Sequence, residues 1–280
     1  MRTLLICHEG AEIDQGVLAR WMASFSELGG IIVLREKKSR LFKRIRKEIK
    51  RSGLFRFADI IAFRIYYKLF RAGRDRAWER GKFDELYKKY PALSPSVKIL
   101  YTHSPNSPES INFISAIKPD IILARCKQLL KKNVFSIPSI GTFVLHPGVT
   151  PEYRNAYGCF WAIASGDYSK VGTTLLKIDE GIDTGPVYGY YCYDWDVLRD
   201  SHLIIQHRTV LDNLDDIKNK LIEICAGQAR SIDTRGRRSQ VFGQPWLTKQ
   251  LSIISNAKKG KIKNGKAYES DDITVSRHRT

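Results

Sequence analysis

The sequence has little cysteine, and what it has is not arranged to pair. Cys7, Cys126, Cys159, Cys192 and Cys225 are scattered, odd in number and never spaced as C-x-x-C. That argues against a disulfide framework and structural zinc, and for free thiols in a reducing compartment. No stretch approaches the roughly 20 apolar residues of a membrane span. The opening MRTLLICHEG reaches His8 and Glu9 too soon for a signal peptide, so the expectation is a cytoplasmic protein. No G-x-G-x-x-G follows the first strand-like run, leaving dinucleotide binding unsupported. There is no H-E-x-x-H and no Cys/His cluster, and His202 and His207 do not share a helical face, so no metal is expected. A Gly-x-Ser-x-Gly elbow is also missing, which sets serine-nucleophile chemistry aside. Negative charge is scarce as well. Twenty-nine acidic residues face 47 Lys and Arg, for a net charge of +18. Such an excess predicts attraction to an anion: nucleic acid, an acidic membrane surface or a phosphorylated small molecule.

What is present reads as one α/β unit. Of 280 residues, 43% are hydrophobic, enough to bury a substantial core. Thr3–Cys7 is a short aliphatic strand. Residues 15–28 place Val17, Leu18, Trp21, Met22, Phe25 and Leu28 at helical spacing, with Gly29-Gly30 as a stop, and Ile31–Leu34 is a second strand. Strand, helix, strand predicts a doubly wound, mostly parallel sheet. Residues 35–90 interrupt it with two or three basic amphipathic helices: one stripe at Leu41, Phe42, Ile45 and Ile49, another at Leu54, Phe57, Ile61, Ile65 and Leu69, and a third helix near Trp78, Leu86 and Tyr90. They read as an insertion packed on the sheet with solvated charges or, across residues 40–72, as a platform for an anionic membrane surface at the inner face. Strands are expected at Val97–Tyr101, Asp120–Ala124, Gly141–Leu145, Val171–Ile178 and Val187–Tyr193. Helices are expected from Ser107-Pro108 to Ile117, at Lys127–Phe135, at Tyr157–Ala164 and, as one long helix, over 201–226. The division predicted is 1–194 for the α/β domain and 195–280 for a C-terminal helix and basic tail. In that tail only Val241–Leu251 is expected to dock, and about twenty final residues to fray.

In open parallel sheets ligands bind beyond the carboxyl ends of the strands. Three loops reach that rim: Arg125, Lys127 and Gln128; His146-Pro147-Gly148 through Tyr153-Arg154-Asn155; and DEGIDTG with Asp179, Glu180 and Asp183. A histidine at a strand end suits general base or electrostatic duty near neutrality, and Asp183 in a Gly-flanked loop is a sensible partner. The same histidine is also readable as a turn's hydrogen-bonding group, Arg154 as a solvated loop charge and Tyr153 as a core plug.

From Pro119 to about Tyr191 these motifs (Pro119-Asp120, VLHPG, VTPEYRN, GTTLL and DEGIDTG) stand in the order and spacing of a known pattern. The chain resembles the folate-dependent formyltransferase family, which spans glycinamide ribonucleotide, methionyl-tRNA and sugar N-formyltransferases. The resemblance implies a Rossmann-like fold and formyl transfer from N10-formyltetrahydrofolate to a primary amine. His146 would assist proton transfer and Asp183 would orient and charge it. Arg125, Lys127, Gln128 and Leu129, with Asp179, Glu180, Gly181 and Ile182, would line the pterin pocket. Gly148, Tyr153, Arg154 and Asn155 would face the amine substrate, a small phosphorylated or nucleotide-sugar molecule. The family's oxyanion-holding asparagine falls on Val144, with Gly148 for serine, Asn155 for glycine and Leu176 for histidine as further departures. Losing one oxyanion donor costs on the order of 10²–10³ in rate, so the alternative is a catalytically impaired binding protein on the same fold. A tRNA-binding version ranks lower, because the region after Asp194 reads as a helix and polar tail rather than a β-barrel.

Overall fold

The computed structural model describes residues 1–36, 45–46 and 48–262. Leu41 and Phe42 of the first basic stripe, and the expected frayed end, lie outside the described residues. Seven strands form one sheet: β1 (Arg2–His8), β2 (Glu27–Leu34), β3 (Lys98–Thr102), β4 (Ile121–Ala124), β5 (Gly141–His146), β6 (Thr173–Lys177) and β7 (Val187–Tyr191), ordered β3-β2-β1-β4-β5-β6-β7. The first five run parallel, while β5–β6 and β6–β7 are antiparallel. β1 sits centrally because both its faces are apolar. Leu5 and Cys7 join one core with Val17, Leu18 and Trp21, and Leu4 and Ile6 join another with Ile114 and Ile117.

Several elements depart from the sequence expectation. The first helix, π-wound over Ile13–Leu18 and α-helical over α1 (Ala19–Ala23), stops early. Gly29 and Gly30 do not end it but lie inside β2. A Cβ on Gly30 would stand 2.5 Å from Ile117 and 2.9 Å from Phe113, so glycine lets α4 (Pro108–Ile117) press directly on the strand. Only α5 (Lys132–Phe135) of the segment 127–135 is helical. The preceding loop gives its amides away, Lys127 N to His8 Nε2 at 3.0 Å and Lys131 N to Asn106 Oδ1 at 2.7 Å. The expected long C-terminal helix is two, α7 (His202–Leu211) and α8 (Leu214–Cys225), once α6 (Gly158–Ala164) has closed the preceding loop. Asn213 makes the break by donating its side-chain amide to Cys192 O (3.0 Å) and Thr209 O (3.1 Å), an alternative to continuing the helix.

Between β2 and β3 lie α2 (Leu54–Phe70) and α3 (Ala72–Lys89). Phe83 and Leu86 tie α3 to the main core, while Phe63 of α2 meets Phe160 of α6 edge-on at 5.8 Å. Beyond α8 the chain returns as an extended strap through residues 237–246 and leads into α9 (Leu247–Lys258).

Candidate active site

β5 carries the site. Val144 and His146 point to the same side of the strand, two residues apart. Across the antiparallel ladder Val144 faces Leu176 and His146 faces Thr174. The turn after His146 can be tight because residue 148 is glycine. A Cβ there would lie 2.6 Å from Tyr153 O and 2.8 Å from the Cα of Gly158. The chain therefore folds back until Tyr153 O stands 2.8 Å from His146 Nε2. A carbonyl only accepts, so Nε2 carries the proton of that bond.

The other imidazole nitrogen meets the DEGIDTG loop. His146 Nδ1 lies 3.4 Å from Asp183 Oδ2, and the same oxygen accepts the Asn155 backbone N–H at 2.8 Å. Asp183 holds φ 52° and Asn155 φ 79°, left-handed values that aspartate and asparagine tolerate better than most residues. The loop is held from within, since Asp179 Oδ1 accepts from Gly181 N (2.9 Å) and Thr184 Oγ1 (2.7 Å). Arg154 Nη1 donates to Ile182 O at 3.0 Å, a second link between the two loops. Its Nε is buried without a hydrogen-bond partner.

Beside this pair opens a small cleft of ≈ 90 Å³. One wall is Cys126, Gln128, Leu129 and Leu130, the floor is Ala124, Val144, Leu176 and Ile178, and the facing wall is Asp179 through Asp183. Leu129 and Ile182 stand exposed at its rim, 65% and 39% accessible. Gln128, Leu129, Asp179, Glu180, Gly181 and Ile182 thus line the cleft. Arg125 and Lys127 do not. Arg125 gives Nε to Asp14 (3.0 Å) and Nη1 to Leu145 O (2.7 Å), crosslinking the strand tips below the cleft. The Lys127 side chain is exposed and its backbone holds His8.

Asp183 faces the cleft, whereas His146 is 3% exposed and sits behind it. Gly148, Tyr153, Arg154 and Asn155 form the layer behind that pair and do not line the cleft. Tyr153 is buried: its ring stacks on Phe242 at 5.1 Å, and its hydroxyl, pushed up to about 12 chiefly by burial, donates to Asp167 at 3.2 Å. The sequence reading missed Asp14, the buried partner of Arg125, whose only local signal is a carboxylate among the apolar positions of the first helix. It also missed how the strap closes this layer. Arg154 N bonds Gln240 O, Phe242 N bonds Arg154 O, and Asn155 Nδ2 donates to Phe242 O. Arg237 pairs with both oxygens of Glu152 at 2.9 and 2.7 Å.

A pterin-type ring system needs apolar walls with a few convergent polar groups, and the chemistry of this lining fits: aliphatic side chains, the Gln128 carboxamide on one wall and carboxylates on the facing one.

Comparison with known proteins agrees with this architecture. The formyl transferase family model matches residues 31–193, more than half the chain. A methionyl-tRNA formyltransferase of Kosmotoga olearia is 34% identical over 100 residues, 35% of this chain and 32% of the relative. The bifunctional polymyxin resistance protein ArnA of Wigglesworthia glossinidia brevipalpis is 30% identical over 118 residues, 42% of this chain and 18% of that protein. The match thus spans a third or less of these relatives' length. Among solved structures, a sugar N-formyltransferase from a Shewanella species superposes with TM-score 0.51 at 11% identity, over 99% of this chain and 93% of that one. Glycinamide ribonucleotide transformylase 1 from Symbiobacterium toebii gives 0.51 at 13% identity, over 87% and 94%. By its matched segment the chain belongs to the formyl transferase family.

Proposed function

We propose that the protein transfers a formyl group from N10-formyltetrahydrofolate to a primary amine on a small phosphorylated or nucleotide-linked sugar substrate. The observation that carries this reading is the Asp183 carboxylate on the cleft wall, backed at 3.4 Å by the His146 imidazole. Gln128, Leu129 and the 179–182 backbone would hold the folate, which when bound supplies an activated formyl carbon. Asp183 then takes the proton that the neutral amine loses on attacking the formyl carbon, a proton that can go on to the nitrogen from which the formyl group departs. His146, fixed by Tyr153 O at Nε2, holds Nδ1 3.4 Å from that carboxylate and keeps it in place at the cleft. This reverses the order implied by the resemblance, since the carboxylate is the group at the cleft and the imidazole its support. The net charge of +18 favours an anionic substrate over a neutral one.

A second reading, folate binding without turnover, is favoured by the Val144–Leu176 rung. These two side chains occupy the cleft floor and neither can donate a hydrogen bond to a developing oxyanion. Two measurements separate the readings. Titration calorimetry with a stable formyltetrahydrofolate analogue should show binding under both, and its absence would end both. Mass spectrometry of nucleotide-linked amino sugars incubated with protein and formyl donor should show the mass of one added formyl group only under the first.

A further inference from the structure

The insertion helix α2 is apolar on two opposite sides. Its inner side, Ile60 and Phe63, is buried against the body. On its outer side Leu54, Phe55, Ile65 and Leu69 are 71%, 96%, 55% and 70% accessible. Positions 54, 58, 61, 65 and 69 recur at helical spacing, so Leu54, Ala58, Ile61, Ile65 and Leu69 make one continuous stripe rather than scattered exposures. Contiguous apolar surface of this kind on a folded chain marks a contact site. The helix cannot roll to hide it. Asp59 accepts from Thr248 N at 3.1 Å, the Arg56 guanidinium lies 3.8 Å over the Trp246 ring, and Arg64 Nη2 donates to Gln244 at 3.2 Å, three ties to the C-terminal segment.

We propose that the outer face of α2 binds an anionic lipid surface. Charge chooses the occupant. Lys68 is exposed beside the stripe, and Arg46, Lys50 and Arg51 lie just ahead of it. In sequence the approach to the helix carries ten cations between Arg35 and Arg51 against Glu36 and Glu48. The one acidic residue of α2, Asp59, is committed to Thr248. A second copy of the chain, itself carrying a net charge of +18, would bring like charge to this face, which opposes self-association, whereas anionic headgroups neutralise it and acyl chains cover the stripe. The mode is interfacial. No described helix is long and apolar enough to cross a membrane, and the inner side of α2 is already packed, so its 17 residues, about 25 Å long, would lie in the plane of the headgroups. This inference does not depend on the formyl-transfer reading.

The test is co-sedimentation of the full chain with large unilamellar vesicles of phosphatidylglycerol and phosphatidylcholine, against vesicles of phosphatidylcholine alone. Binding is expected to the mixed vesicles, to weaken with added salt, and to be negligible on the neutral ones. Phe55→Glu/Leu69→Glu should lower partitioning roughly a hundredfold, about tenfold for each apolar contact replaced by a charge. Both side chains are exposed, so its melting temperature should match the parent's. No sedimentation of the parent with mixed vesicles overturns the proposal. So does equal binding by the double variant, which would reduce the effect to bulk charge. So does a concentration-dependent dimer that the double variant dissociates, which would make the stripe an interface between copies.

Discussion

Two rungs on one face of the β5–β6 ladder, separated by Leu145–Leu175, have diverged in character. The His146–Thr174 rung is polar and completely committed. The imidazole reaches Tyr153 O and Asp183, while Thr174 Oγ1 donates to Gly148 O at 2.6 Å and accepts Thr150 N at 3.1 Å. The Val144–Leu176 rung, two steps back along the same ladder, is apolar and faces the cleft. The two rungs are subject to different demands. Groups that hold loops together are buried, and each would leave a partner unsatisfied if lost. In the cleft floor Leu176 is core, packed with Val149, Val187 and Tyr190, whereas Val144 is only partly buried and makes no hydrogen bond that a substitution would orphan. Substitutions should therefore separate the two β5 positions: changes that break the hydrogen bonds of the polar rung cost stability, and a change at Val144 alters chemistry more than stability.

The largest expected effect is on the carboxylate that joins the two. Asp183→Asn keeps an acceptor for Asn155 N but removes the charge opposite the imidazole. Formyl transfer should fall by about 10³ or more in kcat/KM, with folate-analogue affinity within a few-fold of the parent. Retained turnover would show that proton transfer lies elsewhere. Next comes Val144→Asn, which returns a donor to the cleft floor. Its expected outcome is a gain of about 10² in kcat with an unchanged unfolding midpoint. If the rate does not rise, the apolar rung is not what limits turnover. The third test targets the polar rung. Thr174→Val is isosteric yet orphans Thr150 N and frees Gly148 O, and denaturant unfolding should report a loss of about 2 kcal/mol. A loss as small as that of a cleft-floor variant would erase the distinction between the rungs.

Much of the fold was legible because its signals are local. Ser107-Pro108 announced α4, and the structure starts the helix at Pro108 with the Ser107 hydroxyl accepting Ser110 N. The aliphatic runs became strands for the same reason. Illegible features depend on partners far away in sequence. Gly29-Gly30 reads as a helix stop until Ile117 and Phe113 are seen pressing on the backbone. Arg125 reads as a ligand-binding cation until its partner Asp14, 111 positions earlier, is found beneath it. At the site, the approach of His146 to Asp183 depends on two loops whose left-handed residues, Asn155 and Asp183, no periodicity reveals. Which of the pair faces the cleft depends on how Gly148 lets the chain fold over the imidazole.

The strap, too, meets the site only through partners far away in sequence. Phe242 lies between the rings of Tyr153 (5.1 Å) and Trp161 (5.5 Å), so it clamps the loop that supplies the carbonyl to His146. Truncation by Phe242→Ala should cost about 2 kcal/mol, less than a fully buried phenylalanine because the ring is partly exposed, and should lower kcat more than it raises KM.

The smallest effect at neutral pH is expected from Cys126, the single thiol on the cleft wall. Cys126 Sγ lies 3.4 Å from Gln128 O, and burial pushes the thiol up from 9.0 to about 12, with Asp14 adding to the rise and the bond to Gln128 opposing it. It therefore stays protonated through the working pH range and serves the apolar side of the cleft rather than acting as a nucleophile. Cys126→Ala should leave turnover within about threefold at pH 7.5, and iodoacetamide should not inactivate the parent at that pH. The linkage has a definite sign. A thiol whose pKa is raised in the folded state contributes stability that is fully present below pH 9 and is lost as pH climbs toward 12, by up to about 1.4 kcal/mol per pH unit. Unfolding free energy of the parent should thus fall more steeply than that of Cys126→Ala above pH 9, while the two run parallel below it. Rapid loss of activity on alkylation of Cys126 at pH 7.5 would mean that a reactive thiolate, and not a greasy wall, borders the apolar rung.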